Sequence, residues 1–166
     1  MLTLPLDSLY NHSVSATTLT GEAADRLAIR KLVDAWAHCA DRRHAEQQAS
    51  LFTPNGVVNV YDADPATHKP TSTMRGRHEI VTALSVLNKY SGSFHFNGQS
   101  DVVIHSDDAI GESYCMAHQL WEENGQRKLQ TLAIRYYDRF VREGDTWFFK
   151  ERNLIIDWTD TRPSAA

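Results

Sequence analysis

The feature that most constrains the fold is a series of four long segments, in the second half of the chain, in which apolar and polar residues alternate. These segments cover about 94–105, 109–122, 128–141 and 146–158. They are separated by three pairs of turn-forming residues: Asp107-Asp108, Asn124-Gly125 and Gly144-Asp145. Such pairs are typical of tight hairpins. Strands joined so briefly form an antiparallel meander, whose apolar face must be covered by other elements.

The first half of the chain supplies the covering elements. Residues at helical spacing predict three helices, over 22–41, about 44–52 and 76–89. Thr53-Pro54-Asn55-Gly56 reads as a strong stop and turn after the second helix. Between it and the third helix we expect a short strand at 57–61 and a polar loop at 62–73. This order of elements is typical of an α+β fold, and a curved sheet over a long helix leaves a cone-shaped cavity at its mouth.

Length and composition indicate one domain. The 166 residues suffice for a substantial core, and we expect an N-terminal arm at 1–21, a single domain at 22–160 and a C-terminal tail at 161–166. A net charge of -4 with mixed signs argues against a nucleic-acid partner. No stretch is ordered like a signal peptide or apolar enough for a membrane span, so no membrane partner is expected. Two cysteines are too few for a disulfide framework, which favours a cytoplasmic location.

Asp41 is a carboxylate at a position where the helix pattern calls for an apolar side chain. The apolar stripe of the first helix consists of Ile29, Leu32, Val33, Trp36, Ala37 and Ala40. Asp41 lies four residues beyond Ala37 and therefore points along this stripe. Because an isolated buried charge is costly, the carboxylate needs a partner that donates to it. His95 and His118, on the predicted sheet, are the candidates.

Together, Asp, His and Tyr side chains suit the removal of a proton next to a carbonyl group. An ionised Asp41 would fix the tautomer of His95 and stabilise the imidazolium that forms when His95 acts as the base. His118 and Tyr61 would polarise the carbonyl or protonate a leaving hydroxyl. The predicted catalytic residues are therefore Asp41, His95, His118 and Tyr61.

Each of these residues also has a purely structural interpretation. Asp41, followed by Arg42 and Arg43, is compatible with a polar cluster at a helix end. His118 alternates with other large side chains along one strand, as a hydrogen-bonded core histidine would. Tyr61 ends a strand, where most aromatic residues serve packing. Both interpretations remain open from the residues alone.

The sequence predicts no metal and no cofactor. His78-Glu79 lacks the second histidine that a zincin helix requires. No glycine-rich phosphate loop and no G-x-S-x-G elbow occurs either. The predicted substrate is instead a flat, cyclic, mainly apolar molecule with a carbonyl group. The residues expected to bind it are aromatic: Trp36, Phe94, Phe96, Tyr114, Trp121 and Tyr136.

Five short motifs follow one another in the order of the predicted elements. They are Ile29-Arg30-Lys31-Leu32, Asp41-Arg42-Arg43, Leu51-Phe52-Thr53-Pro54-Asn55-Gly56, Gly76-Arg77-His78-Glu79-Ile80 and Asp145-Thr146-Trp147. With them, the chain from about 24 to 158 resembles the SnoaL-like branch of the nuclear transport factor 2-like proteins. The resemblance implies an α+β fold in which a curved, mainly antiparallel sheet forms a cone-shaped barrel around helices.

Within that family the chain is most similar to scytalone dehydratase-like proteins, and more distantly to hexachlorocyclohexane dehydrochlorinases. Phe94-His95-Phe96-Asn97-Gly98 and Ala117-His118-Gln119 resemble the segments that supply their two active-site histidines. Asp41 resembles the helix carboxylate that pairs with a histidine, and Tyr61 resembles a tyrosine that holds a water or a substrate carbonyl. The resemblance thus implies the same four catalytic residues as the chemistry does.

The function implied is that of a cofactor-independent lyase or isomerase, dehydratase-like, acting through an Asp-His base in an enclosed pocket. Ala40 and Tyr136 depart from the dehydratase pattern, which has a tyrosine and an asparagine there. Two alternatives remain, because one fold hosts many functions. The first is a non-catalytic module for small-molecule binding or assembly, and the second is a polyketide cyclase. We also expect a homodimer or homotrimer, since a curved sheet leaves an outer face that is partly apolar.

Overall fold

The computed structural model describes residues 20–165. Helices form where the apolar residues have helical spacing, and there are three α-helices followed by one 3₁₀ helix in this part of the chain. They are α1 (Glu22–Arg42), α2 (Ala45–Ser50), α3 (Gly76–Leu84) and the 3₁₀ helix (Ser85–Lys89). The predicted third helix is therefore α-helical only to Leu84. No helix among the described residues is long and apolar enough to cross a membrane.

One sheet of six strands makes up the rest of the described fold. The strands are β1 (Phe52–Tyr61), β2 (Ser72–Arg75), β3 (Gly92–His105), β4 (Asp108–Glu123), β5 (Gln126–Glu143) and β6 (Thr146–Pro163). Their order in the sheet is β2-β1-β6-β5-β4-β3. Every neighbouring pair is antiparallel except β1 and β6, which are parallel. The α+β class and the predicted meander are confirmed, but the sheet is open and does not close into a barrel.

The boundaries differ from the prediction at three places. Thr53-Pro54-Asn55-Gly56 does not end an element but lies within β1, where the pairing with β6 shifts register between Phe52 and Val57. Gly56 is needed at this bend, because a Cβ there would come within 2.8 Å of the Phe52 side chain. The end of the predicted loop 62–73 enters the short strand β2, and β6 continues to Pro163. The predicted arm lies almost entirely outside the described residues.

The two faces of the sheet are distinguished by burial. On β4, Cys115 and Ala117 are buried against the helices, whereas Tyr114, which alternates with them, is exposed. Directly paired residues on neighbouring antiparallel strands point to the same side of a sheet. We call the side of Cys115 and Ala117 the inner face and the side of Tyr114 the outer face. The main core lies between the inner face and the helices and includes Leu32, Phe140 and Phe149.

Helix α1 lies along the free edge of β3 and caps it with polar side chains. Arg26 donates from Nη1 to the carbonyl oxygen of Val102 at 2.7 Å, and Arg30 donates from Nη1 to that of Gly98 at 3.2 Å. An edge strand presents unpaired backbone groups, and such cover satisfies them. This alignment brings the end of α1, with Asp41, next to the start of β3.

Candidate active site

Asp41 pairs with a histidine, and that histidine is His95. His95 approaches Asp41 Oδ1 with its ring Nδ1 at 2.7 Å, and its backbone N–H donates to Oδ2 at 3.0 Å. The Ser93 hydroxyl donates to Oδ1 at 3.2 Å. The His95 side chain is 7% exposed and the Asp41 side chain 21% exposed. The carboxylate is thus held by three donors from the first residues of β3.

These contacts determine the protonation of the pair. Burial raises the pKa of Asp41, but the hydrogen bonds from the His95 ring and backbone and from Ser93 together lower it below its usual value of 3.8. Asp41 is therefore ionised at neutral pH. An ionised carboxylate can only accept, so Nδ1 of His95 carries a proton. In the neutral imidazole Nε2 is then the basic nitrogen.

The end of α1 holds the start of β3 in place. Arg43 follows the helix in the left-handed region, with φ 58°. Its guanidinium donates from Nη2 to the carbonyl oxygen of Tyr90 at 2.5 Å and from Nε to that of Leu87 at 3.3 Å. Tyr90 lies just before β3. Arg43, two positions after Asp41, therefore holds the start of the strand that carries His95.

Asp41 and His95 line a groove of about 640 Å³ between α1 and β3. Its other lining residues are Arg30, Asp34, Ala37, His38, Arg42, Ser93, Phe94, Phe96 and Asn97. Phe94 and Phe96, which border the groove from β3, are exposed, whereas the His95 side chain is nearly buried. A second cavity, of about 420 Å³, lies where Tyr90 and Trp121 pack edge to face, and Gln130 and Thr161 also line it.

His118 lies on the opposite side of the sheet from His95. His95 pairs directly with Ala117 and so faces inward, whereas His118 pairs with Phe94, which is 60% exposed. The His118 ring contacts Thr131 on β5, with 3.0 Å between Nδ1 and Oγ1. The structure therefore does not bring the two histidines together.

Tyr61 is also separated from the Asp41–His95 pair. It is paired with Ile155 on β6, and Ile155 is paired in turn with Arg135 on β5. Arg135 is directly opposite Tyr114, which places all of these side chains on the outer face. Of the four predicted catalytic residues, the structure brings only Asp41 and His95 into contact.

The part of the chain from 20 to 165 contains no group of three or more His, Cys, Asp or Glu side chains that could hold a metal ion.

Comparison with known proteins identifies the family. The model of the SnoaL-like domain matches residues 21–153, which is most of the chain and includes both Asp41 and His95. The chain belongs to the SnoaL-like domain family. No curated protein sequence is similar enough to count as a match.

Solved structures share this SnoaL-like fold. A scytalone dehydratase candidate from Novosphingobium aromaticivorans is 22% identical, with TM-score 0.72, covering 87% of this chain and 91% of that protein. A hexachlorocyclohexane dehydrochlorinase, LinA type 2, is 20% identical, with TM-score 0.70 and coverage of 87% and 91%. LinA type 3 from Novosphingobium barchaimii is 18% identical, with TM-score 0.68 and coverage of 87% and 92%. At such identities the likeness establishes the fold and leaves the activity open.

The predicted aromatic pocket of this SnoaL-like chain is divided among three places. Trp36 and Tyr136 are buried in the core, and Trp121 lies at the second cavity. Phe94 and Phe96, on β3, and Tyr114, on β4, are exposed on the outer face. Period-two alternation is the reason: Phe94 and Phe96 flank His95 in sequence, so their side chains turn to the opposite face, although both residues border the Asp41–His95 groove at this edge strand.

Sequence reasoning missed a buried arginine on the inner face. Arg152 on β6 donates from Nε and Nη2 to the Asp138 carboxylate at 2.8 and 2.7 Å, and both side chains are almost fully buried. Its guanidinium lies 3.9 Å from the centre of the Tyr136 ring. Its Nη1 finds no hydrogen-bond partner among the described residues. Little in the sequence signalled it, because Arg152 is flanked by Lys150, Glu151 and Asn153 and therefore resembles an exposed polar stretch.

Arg152 and the Asp41–His95 pair are on two sides of Cys115. The pKa of the Cys115 thiol is raised to about 11, mainly by burial. The positive charge of Arg152 opposes this rise, and the negative charge of Asp41 adds to it. Both charges thus act on one inner-face thiol. The inner face therefore combines a basic imidazole, a carboxylate and a buried cation with a donor left over.

Proposed function

We propose that the chain is a cofactor-independent lyase or isomerase of the dehydratase type, acting on a small, cyclic, mainly apolar molecule with a carbonyl group. The observation that carries the proposal is the contact between Asp41 Oδ1 and His95 Nδ1 at 2.7 Å. A carboxylate behind a nearly buried imidazole orients the ring and stabilises its protonated form, as a general base requires. Membership of the SnoaL-like family supports the same class of chemistry.

The reaction begins with transfer of a proton from carbon to nitrogen. His95 Nε2 takes the proton from the carbon next to the carbonyl group, and the electron pair of that bond moves into an enolate. Asp41 stabilises the imidazolium that results. The developing enolate oxygen requires a preorganised donor, and we assign this role to Arg152 Nη1, which finds no hydrogen-bond partner among residues 20–165.

The second half of the reaction returns the proton. In a dehydration the enolate electron pair forms the new carbon–carbon double bond, the C–O bond breaks, and the departing hydroxyl takes the proton from His95 as water leaves. In an isomerisation the same proton goes to a different carbon. One imidazole can serve as both base and acid. The mechanism therefore needs neither His118 nor Tyr61, which are on the outer face.

Deuterium exchange tests this proposal before the substrate is known. The purified protein is incubated in D₂O with a panel of cyclic ketones and β-hydroxy ketones, and loss of the ¹H signal at the acidic carbon is followed by NMR. We expect exchange above the buffer rate, and a reduction of about 10²- to 10⁴-fold in His95→Ala and in Asp41→Asn. His105→Ala, an exposed histidine at the far end of β3, is the matched control and should exchange at the wild-type rate.

The same experiment separates the alternatives. Appearance of an alkene identifies water loss, a shifted double bond identifies isomerisation, and a new carbon–carbon bond in a linear polyketone identifies a cyclase. Compounds that bind without any exchange would indicate a non-catalytic module. Equal rates in the wild type and both dyad variants would refute the proposed base.

A further inference from the structure

A row of four polar side chains crosses the inner face of the sheet, between the Asp41–His95 groove and the second cavity. Direct cross-strand pairing aligns one residue from each of β3, β4, β5 and β6: Ser93, Gln119, Gln130 and Thr161. We call these four residues the polar row. Ser93 lines the groove, whereas Gln130 and Thr161 line the second cavity. The polar row lies two residues from His95 along β3, which is about 7 Å.

The side chain of Gln119, in the middle of the polar row, is buried without a partner. Gln119 is 8% exposed, and its amide makes no hydrogen bond to another residue between 20 and 165. The Gln130 amide, directly opposite on β5, is half-buried and makes none within this range either. Burying an amide without a partner is costly, and buried polar groups in proteins nearly always have one. Two adjacent glutamines of this kind therefore point to a ligand that pairs with them.

The second cavity, beside the polar row, has an aromatic wall. Tyr90 and Trp121 pack edge to face there, with 5.9 Å between the ring centres. Trp121 is two residues beyond Gln119 on β4 and therefore also lies on the inner face. Arg43 donates to the carbonyl oxygen of Tyr90, so the helix end that carries Asp41 also holds this wall. The cavity volume of about 420 Å³ is within the range of about 300–1,000 Å³ that is usual for ligand pockets.

The charges around the second cavity favour an uncharged ligand group. Lys89 and Glu122 line the cavity with opposite signs, so an ionised ligand would meet a like charge as well as an opposite one. The Lys89 ammonium lies 4.9 Å from the centre of the Tyr90 ring. The two glutamines are neutral, and an amide both donates and accepts, so it can pair with a hydroxyl or a carbonyl group. The chemistry fits a flat ring that bears one of these neutral groups.

We propose that the second cavity binds the far end of the substrate, and that Gln119 and Gln130 select a neutral hydrogen-bonding group there. The inference rests on the proposed function, because it takes the reacting carbon to lie at His95. Trp121 is four residues from Ala117, the partner of His95, which is about 14 Å along β4. The substrate is thus an elongated ketone, in which a cyclic ketone is joined to a second, flat ring that packs against Trp121 and bears a hydroxyl or carbonyl group.

A matched pair of ketones tests the inference by binding alone. 4-(4-Hydroxyphenyl)cyclohexanone and 4-phenylcyclohexanone differ by one hydroxyl group, and isothermal titration calorimetry measures both Kd values. We expect the wild type to bind the hydroxyl compound about tenfold more tightly, because one neutral hydrogen bond is worth about this ratio. The double variant Gln119→Met/Gln130→Met keeps the length of both side chains and removes the amides, so this preference should disappear. Gln47→Met, which changes an exposed glutamine of α2 that lines neither cavity, is the matched control and should keep the preference.

The deuterium-exchange assay separates this inference from the proposed function. In the double variant, KM for the hydroxyl compound should rise about tenfold while kcat stays within about twofold, as expected for groups that bind substrate without taking part in the reaction. His95→Ala should stop the exchange and keep the tenfold preference in binding. Urea denaturation tests for a purely structural role of the glutamines. Removing amides that have no partner should not lower the free energy of unfolding.

The outcomes that would overturn the inference are distinct from those that would refute the base. Equal affinity of the wild type for the two ketones, or no binding of either, would overturn it even if smaller ketones exchange deuterium. A tenfold preference that persists in the double variant would do the same, as would tighter binding of the ionised 4-(4-carboxyphenyl)cyclohexanone. A preference that depends on both glutamines, without any exchange, would support the subsite and refute the proposed base.

Discussion

Replacing Asp41 with Asn tests the geometry of the site without any substrate. The carboxylate accepts from the His95 ring, the His95 backbone N–H and Ser93. Hydrogen bonds to a charged acceptor contribute about 1.5–3 kcal/mol, and neutral ones about 0.5–1.5 kcal/mol. The stability lost over these three hydrogen bonds is partly regained, because a neutral amide costs less free energy to bury than a charged carboxylate. We expect Asp41→Asn to lower the free energy of unfolding by about 1–3 kcal/mol at pH 7.

The effect should also depend on pH in a defined direction. Because the folded-state pKa of Asp41 lies below the usual value of 3.8, the unfolded chain binds this proton more readily than the folded chain does. The carboxylate therefore stabilises the fold fully above the unfolded pKa, and this stabilisation is lost as the pH falls through the folded pKa. The difference between the wild type and Asp41→Asn should shrink below about pH 4.

Urea denaturation between pH 3 and pH 7 measures both quantities. The control is Glu22→Gln, a carboxylate on the same helix that pairs with Arg26 at 2.7 Å on the surface. A pair of this kind contributes at most about 1 kcal/mol. If Asp41→Asn were as stable as the wild type at pH 7, or if the difference grew in acid, the inferred charge state of the dyad would be incorrect.

Two further predictions concern the interior. Asp138→Asn leaves the buried charge of Arg152 without its counter-ion and should lower the free energy of unfolding by about 3–5 kcal/mol, measured by urea denaturation. The double variant Asp138→Leu/Arg152→Met should recover most of that loss. Equal losses in both variants would contradict a buried ion pair between Asp138 and Arg152. Cys115 is buried and its pKa is raised to about 11, so it should not react with a disulfide reagent at pH 8 until the protein unfolds; rapid labelling of the native protein would contradict its burial.

Local patterns were sufficient to predict most of the elements and one half of the Asp41–His95 pair. Alternation with turn residues predicts the four long strands, and three-and-four spacing predicts α1. The same spacing shows that Asp41 faces the interior, where a carboxylate requires a donor. These are short-range properties, because the direction of a side chain depends only on its position within one helix or strand.

The choice of partner and of surface was decided only by the tertiary structure. The sequence offers both His95 and His118 as partners for Asp41, and strand pairing turns His95 toward α1 and His118 toward the outer face. The register of β5 and β6 aligns Asp138 with Arg152. Register depends on the whole sheet, and a shift of one residue exchanges its two faces. The sequence by itself thus determined which residue types need partners, and the assembled sheet determined which partners they meet.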